Sequence, residues 1–291
     1  MGATFLDRGF TSPKVDFSGG VCVIDLPTLR LAADAVTSRL GLTMRLPTIC
    51  DGKLPTTLAD MAVVEVQPGP SVVATIDTGK MDWGATERPV REATFSDYGG
   101  AYRMSVLIGR RPFAVLDQIA VANADVRLPG GRTGLIWFAE VPTALLASSD
   151  LYGLARLAGE LTSEFNGAGP VVLDHVMIPA QKIKYRRRMP EIEAINPGVV
   201  KDAEQRLFMA LDHTGVRVKA VTQLRAASWH GGPPPTSHHF GAQHPVTFWF
   251  TEVVAADSVA WQMPFAVIIT NRLAWLEVGT KVSFADSEFT F

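Results

Sequence analysis

"LDHTGVRVKAVTQLRAASWHGGPPPTSHH", residues 211–239, starts with strand-like alternation, passes Gly215 and ends in a proline- and histidine-rich run. Side chains alternate across an extended backbone, so Val216, Val218 and Ala220 share one face while Arg217 and Lys219 share the other. The valines and Thr222 favour that backbone, which makes a strand already paired within a sheet one reading of the segment. The other is a presented arm, running from about Val216 to His239. "GGPPPTS" (231–237) suits the arm, because proline lacks an amide proton and glycine is costly to order.

Strand-like runs lie on both sides of this stretch. Before it come "MAVVEVQ", "SVVATID", "AYRMSVLIG", "IAVANADVRL", "TGLIWFAEV", "VVLDHVMI" and "QRLFMALD"; after it come "PVTFWFTEVV" and "FAVIIT". Helical spacing is convincing only over 26–42 and 147–165. In the second, Ser148 or Ser149 is placed to cap the first turn, and "NGAG" to end the helix. Strands that follow one another without intervening helices argue against a doubly wound parallel sheet. They predict a mostly antiparallel α+β fold with a few helices. Strong strand patterns flank 231–237, so no domain boundary is expected there and 1–291 reads as one domain.

Composition narrows the functional classes. Lys and Arg number 27 against 29 Asp and Glu, a net charge of −2, so no basic excess exists to hold nucleic acid or an anionic membrane surface. The apolar runs are too short to span a bilayer. The opening residues carry no secretory signal pattern, which makes a cytoplasmic address the expectation. Cys22 and Cys50 could pair, but their apolar flanks favour reduced, buried thiols. No nucleophile elbow, phosphate loop or dinucleotide fingerprint is present, and neither a cofactor nor a metal is expected.

Four segments in order carry a family likeness. Asp51, Gly52, Lys53 and Leu54 follow the first helix, and Lys80, Trp83, Arg91, Ala93 and Phe95 follow "SVVATID". Phe208 and Gly215 mark a third segment, and Phe240, Ala242, His244, Pro245, Phe248 and Phe250 a fourth. Over about residues 30–262 the chain resembles the serpin family. The resemblance implies a shortened N-terminal region (1–70) with its helices reduced. It implies a sheet core (71–262) bearing a loop at 216–239, and a C-terminal extension (263–291).

It also implies a test of function. In an inhibitory serpin the cut loop inserts as a new strand of the main sheet, which requires a hinge of small residues. Here the hinge reads Gly215, Val216, Arg217, Val218, Lys219, and burying an unpaired Arg or Lys is expensive. A non-inhibitory protein that binds a small apolar molecule or a protein partner is therefore expected. If the loop did trap a protease, Trp229 and His230 would flank the cut for a chymotrypsin-like target. Arg225 would serve a trypsin-like one in a shorter register. Otherwise Trp229 simply anchors the loop.

An enzyme on the same scaffold is the alternative. His230, His238 and His239 lie in loop sequence, and histidine exchanges protons near neutral pH, so acid–base chemistry such as a cyclisation or isomerisation would fall to them. His175, His213 and His244 read as structural. Trp137, Phe248, Phe250 and Trp261 could line an apolar pocket, although core packing is the default for aromatics. The basic run "KIKYRRR" (182–188) reads as a solvated sheet face.

Overall fold

The computed structural model describes residues 10–16, 18–40, 44, 46, 52–66, 71–84, 90–195, 200, 202–223, 237–242, 244–252 and 264–290. The first strand, β1 (Val21–Ile24), leads into α1 (Leu26–Leu40). Asp25 starts that helix by accepting the Thr28 amide at 3.2 Å, and Leu26, Leu29, Ala32, Ala33 and Val36 form its buried stripe. A short α2 (Thr56–Ala59) precedes β2 (Ala62–Val66), β3 (Val72–Asp77) and β4 (Asp82–Trp83).

Antiparallel strands β5 (Arg91–Asp97), β6 (Gly100–Leu116), β7 (Ile119–Arg127) and β8 (Thr133–Glu140) follow. The β6–β7 turn is tight, with Asp117 and Gln118 both at positive φ (45° and 72°), the geometry that matches strand twist in a two-residue hairpin. The helical region then divides into α3 (Thr143–Ser148) and α4 (Leu151–Gly167). The expected serine cap is corrected here: Asp150 accepts the Gly153 amide at 2.7 Å, while Ser148 and Ser149 donate back to the Leu145 carbonyl. A carboxylate at the helix start is a stronger acceptor than a hydroxyl, and it also faces the positive end of the dipole.

Strands β9 (Val171–Pro179) and β10 (Gln181–Arg188), the short α5 (Pro190–Glu193), the hairpin β11 (Glu204–Asp212) and β12 (Gly215–Gln223), and β13 (His238–His239), β14 (Val246–Glu252) and β15 (Phe265–Thr270) complete the chain. Among the described residues the strands form two sheets. The larger runs β1-β15-β14-β8-β7-β6-β9-β13, with β4 on β7 and β5 on β6; the smaller runs β10-β11-β12-β3-β2. Every named strand pair is antiparallel except β13 with β9. The expected α+β, mostly antiparallel layout with few helices is what these elements make.

Two faces of the larger sheet are buried. Phe138, Phe248, Phe250 and Ile268 meet Leu207, Met209, Val216, Val218 and Ala220 of the smaller sheet in one core. On the opposite face Trp137 and Trp249 lie under Leu154, Ala158, Leu161 and Phe165 of α4. Cys22 is fully buried, and burial pushes its thiol well above the ordinary range; Cys50 lies outside the described residues. No helix among the described residues is long and apolar enough to cross a membrane.

Candidate functional site

The stretch that begins this chain's functional question turns at Gly215. Its φ is +151°, and a Cβ there would stand 2.5 Å from the Met81 carbonyl oxygen, so only glycine fits. The same carbonyl accepts the Val216 amide at 2.9 Å, and the Met81 amide donates to Val216 O at 2.6 Å. From this strapped turn β12 runs as the third of five strands. β11 pairs along one edge, from Gly215 opposite Asp212 to Thr222 opposite Gln205. β3 pairs along the other, from Lys219 opposite Asp77 to Thr222 opposite Ala74. The segment 216–223 of the expected loop is thus a central strand. Val216, Val218 and Ala220 are wholly buried between the sheets, on the face their alternation predicts.

Arg217 points to the other face and is 9% exposed at its side chain. Its Nε and Nη2 donate to both Asp77 oxygens at 3.1 and 2.8 Å, its Nη1 to Phe284 O at 2.8 Å, and Asp286 lies 2.8 Å away. The Phe289 ring stacks 4.3 Å from the guanidinium carbon. Hydrogen bonding to Asp77 raises the pKa of Arg217, so the charge is fixed. Lys219 shares Asp77 at 3.9 Å. After β15 the chain runs on, and its end crosses the outer face of β10–β12. Phe289 packs on Phe208, and Glu288 pairs with Lys182 at 2.7 Å.

A second clamp holds the far end of β12. Thr222 Oγ1 contacts Thr28 Oγ1, which also contacts Asp25, and Gln205 Nε2 donates to Thr222 Oγ1 at 3.0 Å and to the Asp25 carbonyl at 2.5 Å. Burial raises the Asp25 carboxyl from 3.8 to about 6, against the pull of its threonine hydrogen bonds.

His238 and His239, both in β13, stand in different surroundings. His238 is buried, with Nε2 2.5 Å from Glu140 Oε2 but off the line of a straight hydrogen bond, and with Phe240 4.3 Å away. Glu140 also accepts the Gly241 amide at 2.7 Å; burial pushes its carboxyl up while His238 opposes that rise. His239, the next residue of an extended strand, turns the other way and packs against Phe95 at 4.2 Å. Burial, then His238 and Arg272, lower His239 to about 4. Neighbouring strand residues cannot reach one substrate together, and a pKa near 4 is far from that of an acid–base catalyst at neutral pH. His230, Arg225 and Trp229 lie outside the described residues.

The aromatic set divides too. Trp137 stands opposite Trp249 and stacks on it at 5.8 Å, whereas Phe248 and Phe250 stand opposite Phe138 and Ile136 on the other face. One pocket cannot hold Trp137 with Phe248 and Phe250, and Trp261 lies outside the described residues. The gap under α4 beside Trp249 measures about 10 Å³, room for a single water. A larger recess, about 490 Å³, opens between α3, α4 and the β6–β7 turn, where Leu116, Ile119, Leu145 and Leu161 meet Asp117 and Glu164. Three distant segments build it, so no local motif announces it. In the basic run, Lys182, Arg186, Arg187 and Arg188 each pair with a carboxylate, and Lys184 lies over the Phe208 ring. Among the described residues no group of three metal-binding side chains converges.

No protein-family model matches the chain, and no curated protein matches it in sequence. Solved structures similar to it include serpins. A cleaved serpin 42Da is 13% identical with a TM-score of 0.43, over 85% of this chain and 67% of that one. A loop-inserted, cleaved ovalbumin mutant is 13% identical with a TM-score of 0.44, over 82% and 62%. Thyroxine-binding globulin, complexed with a thyroxine–fluorescein compound, is 9% identical with a TM-score of 0.35, over 54% and 53%. The chain spans less than two thirds of the ovalbumin and of the globulin.

Proposed function

We propose, taking the serpin-like layout of the two sheets as premise, that this protein is a non-inhibitory binder of small apolar molecules. One observation carries the non-inhibitory part: β12 is paired on both edges, between β11 and β3. Trapping by insertion needs a vacant place in the sheet for the cut segment. Here the residues after Gly215 already occupy that place, and pairing with Asp77 and Asp286 offsets the burial penalty of Arg217.

Incubation with chymotrypsin or trypsin is therefore expected to yield cleavage products alone on a denaturing gel. The nicked protein should melt within about 3 °C of the intact one, since no new strand is gained. A covalent complex, or a steep rise in Tm after nicking, would overturn the reading.

The recess beside α4 supports the ligand part, because its volume falls in the range of small-molecule sites and Leu116, Ile119, Leu145, Leu157 and Leu161 give it apolar walls beside Asp117, Glu160 and Glu164. A neutral apolar dye such as Nile red should fluoresce on binding. Leu145→Arg places a charge on that wall at a residue already 38% exposed, so it should abolish the signal without unfolding the chain. Undiminished dye binding in the variant would remove the recess from consideration. The acid–base alternative gains no support from His238 and His239, which pack against Phe240 and Phe95 respectively.

A further inference from the structure

β2 ends the smaller sheet, and among the described residues no strand pairs with its outer side. Backbone direction shows what it offers. The Thr78 amide donates to Val218 O on β12 at 2.9 Å, so even-numbered residues of β3 turn toward β12, and Val73 and Thr75 turn toward β2. Val63 stands opposite Thr75 and Glu65 opposite Val73. These two therefore bond inward, and the amides and carbonyls of Ala62, Val64 and Val66 face the open edge. The other end of the sheet is different. β10 is blunted by exposed Lys184, Arg186 and Arg188, the usual protection against edge pairing. β2 has no lysine, proline or bulge, and Val63 and Val64 are 53% and 39% exposed.

We propose that β2 pairs antiparallel with β2 of a second copy, about a two-fold axis at Val64. This centring uses the whole strand: Val64 faces Val64 of the second copy, and Ala62 faces its Val66. Each Glu65 then lies opposite Val63 of the other chain. Sliding one step toward the carboxyl end would instead set two Glu65 carboxylates against each other, which disfavours that register. The pairing is self-complementary, as an isologous dimer requires, and it merges two five-stranded sheets into one.

Light scattering after gel filtration, at micromolar concentration and above, should give twice the mass of one chain. Val64→Pro removes an outward donor without touching a bond to β3, and Val63→Lys adds the missing edge charge. Each should raise the dimer dissociation constant at least about tenfold, with unchanged far-UV circular dichroism. Should the proline variant misfold, Val63→Lys decides alone. Hydrogen exchange supplies a second reading: the Ala62, Val64 and Val66 amides should be protected in concentrated samples and lose that protection on dilution. A wild-type protein of single-chain mass at every concentration overturns the proposal, as does a dimer that the folded variants retain.

Discussion

Arg217→Ala is expected to lower the unfolding free energy by about 2–3 kcal/mol, because it strips partners from a nearly buried guanidinium network. For a chain of this size that corresponds to a fall in Tm of roughly 3–5 °C. Asp77 is left 26% exposed with Lys219 still 3.9 Å away, which keeps the loss below that of a fully enclosed pair. Arg217→Lys should rescue little, since an ammonium cannot reach both Asp77 oxygens and Phe284 O as the planar fork does. The tail is part of the same clamp. Removing residues 282–291 should cost stability in the wild type and markedly less in Arg217→Ala, because Phe284 O, Asp286 and Phe289 act through that arginine. Urea unfolding of the four proteins closes the cycle. Strict additivity, or an Arg217→Ala variant as stable as wild type, would show that the tail does not clamp β12.

The same arginine shows what the sequence could and could not reveal. Period-two alternation put Val216, Val218 and Ala220 on one face, and that is the face buried between the sheets. Strand runs without helices between them gave the α+β class for the same local reason. The penalty assigned to Arg217 presumed that it had no partner, yet Asp77 is 140 residues away and the tail lies farther along the chain. Local pattern carries no knowledge of such pairs. His238 and His239 read as loop residues, whereas they form the short strand β13, whose alternation points their side chains apart. Trp137 and Phe248 had strand parity within view, but which residue of β8 faces which of β14 is a matter of register. Register depends on the whole sheet.

Asp25→Asn is expected to remove a pH dependence on the order of 3 kcal/mol. The wild-type carboxyl is fully buried at the start of α1, held by Thr28 and touching the Thr222 network, and burial raises it from 3.8 to about 6. A folded-state value above the unfolded one means the native protein binds the proton more tightly. The stability this contributes is therefore complete below about pH 4, falls as pH rises through 6, and is absent above. The size follows from 1.36 kcal/mol for each pKa unit. No charged neighbour is among the causes of the rise, so added salt should leave it unchanged. The wild-type curve alone is ambiguous, because His239, lowered to about 4, contributes the opposite slope as pH falls below its unfolded value. Subtracting the Asp25→Asn curve from the wild-type curve cancels His239, which lies in another part of the molecule. Urea unfolding of both proteins between pH 4 and 7.5 should show the asparagine variant gaining steadily on wild type up to about pH 6 and holding its advantage beyond. Parallel curves would mean that Asp25 is not an enclosed carboxylate, and that the clamp between α1 and β12 is open to water.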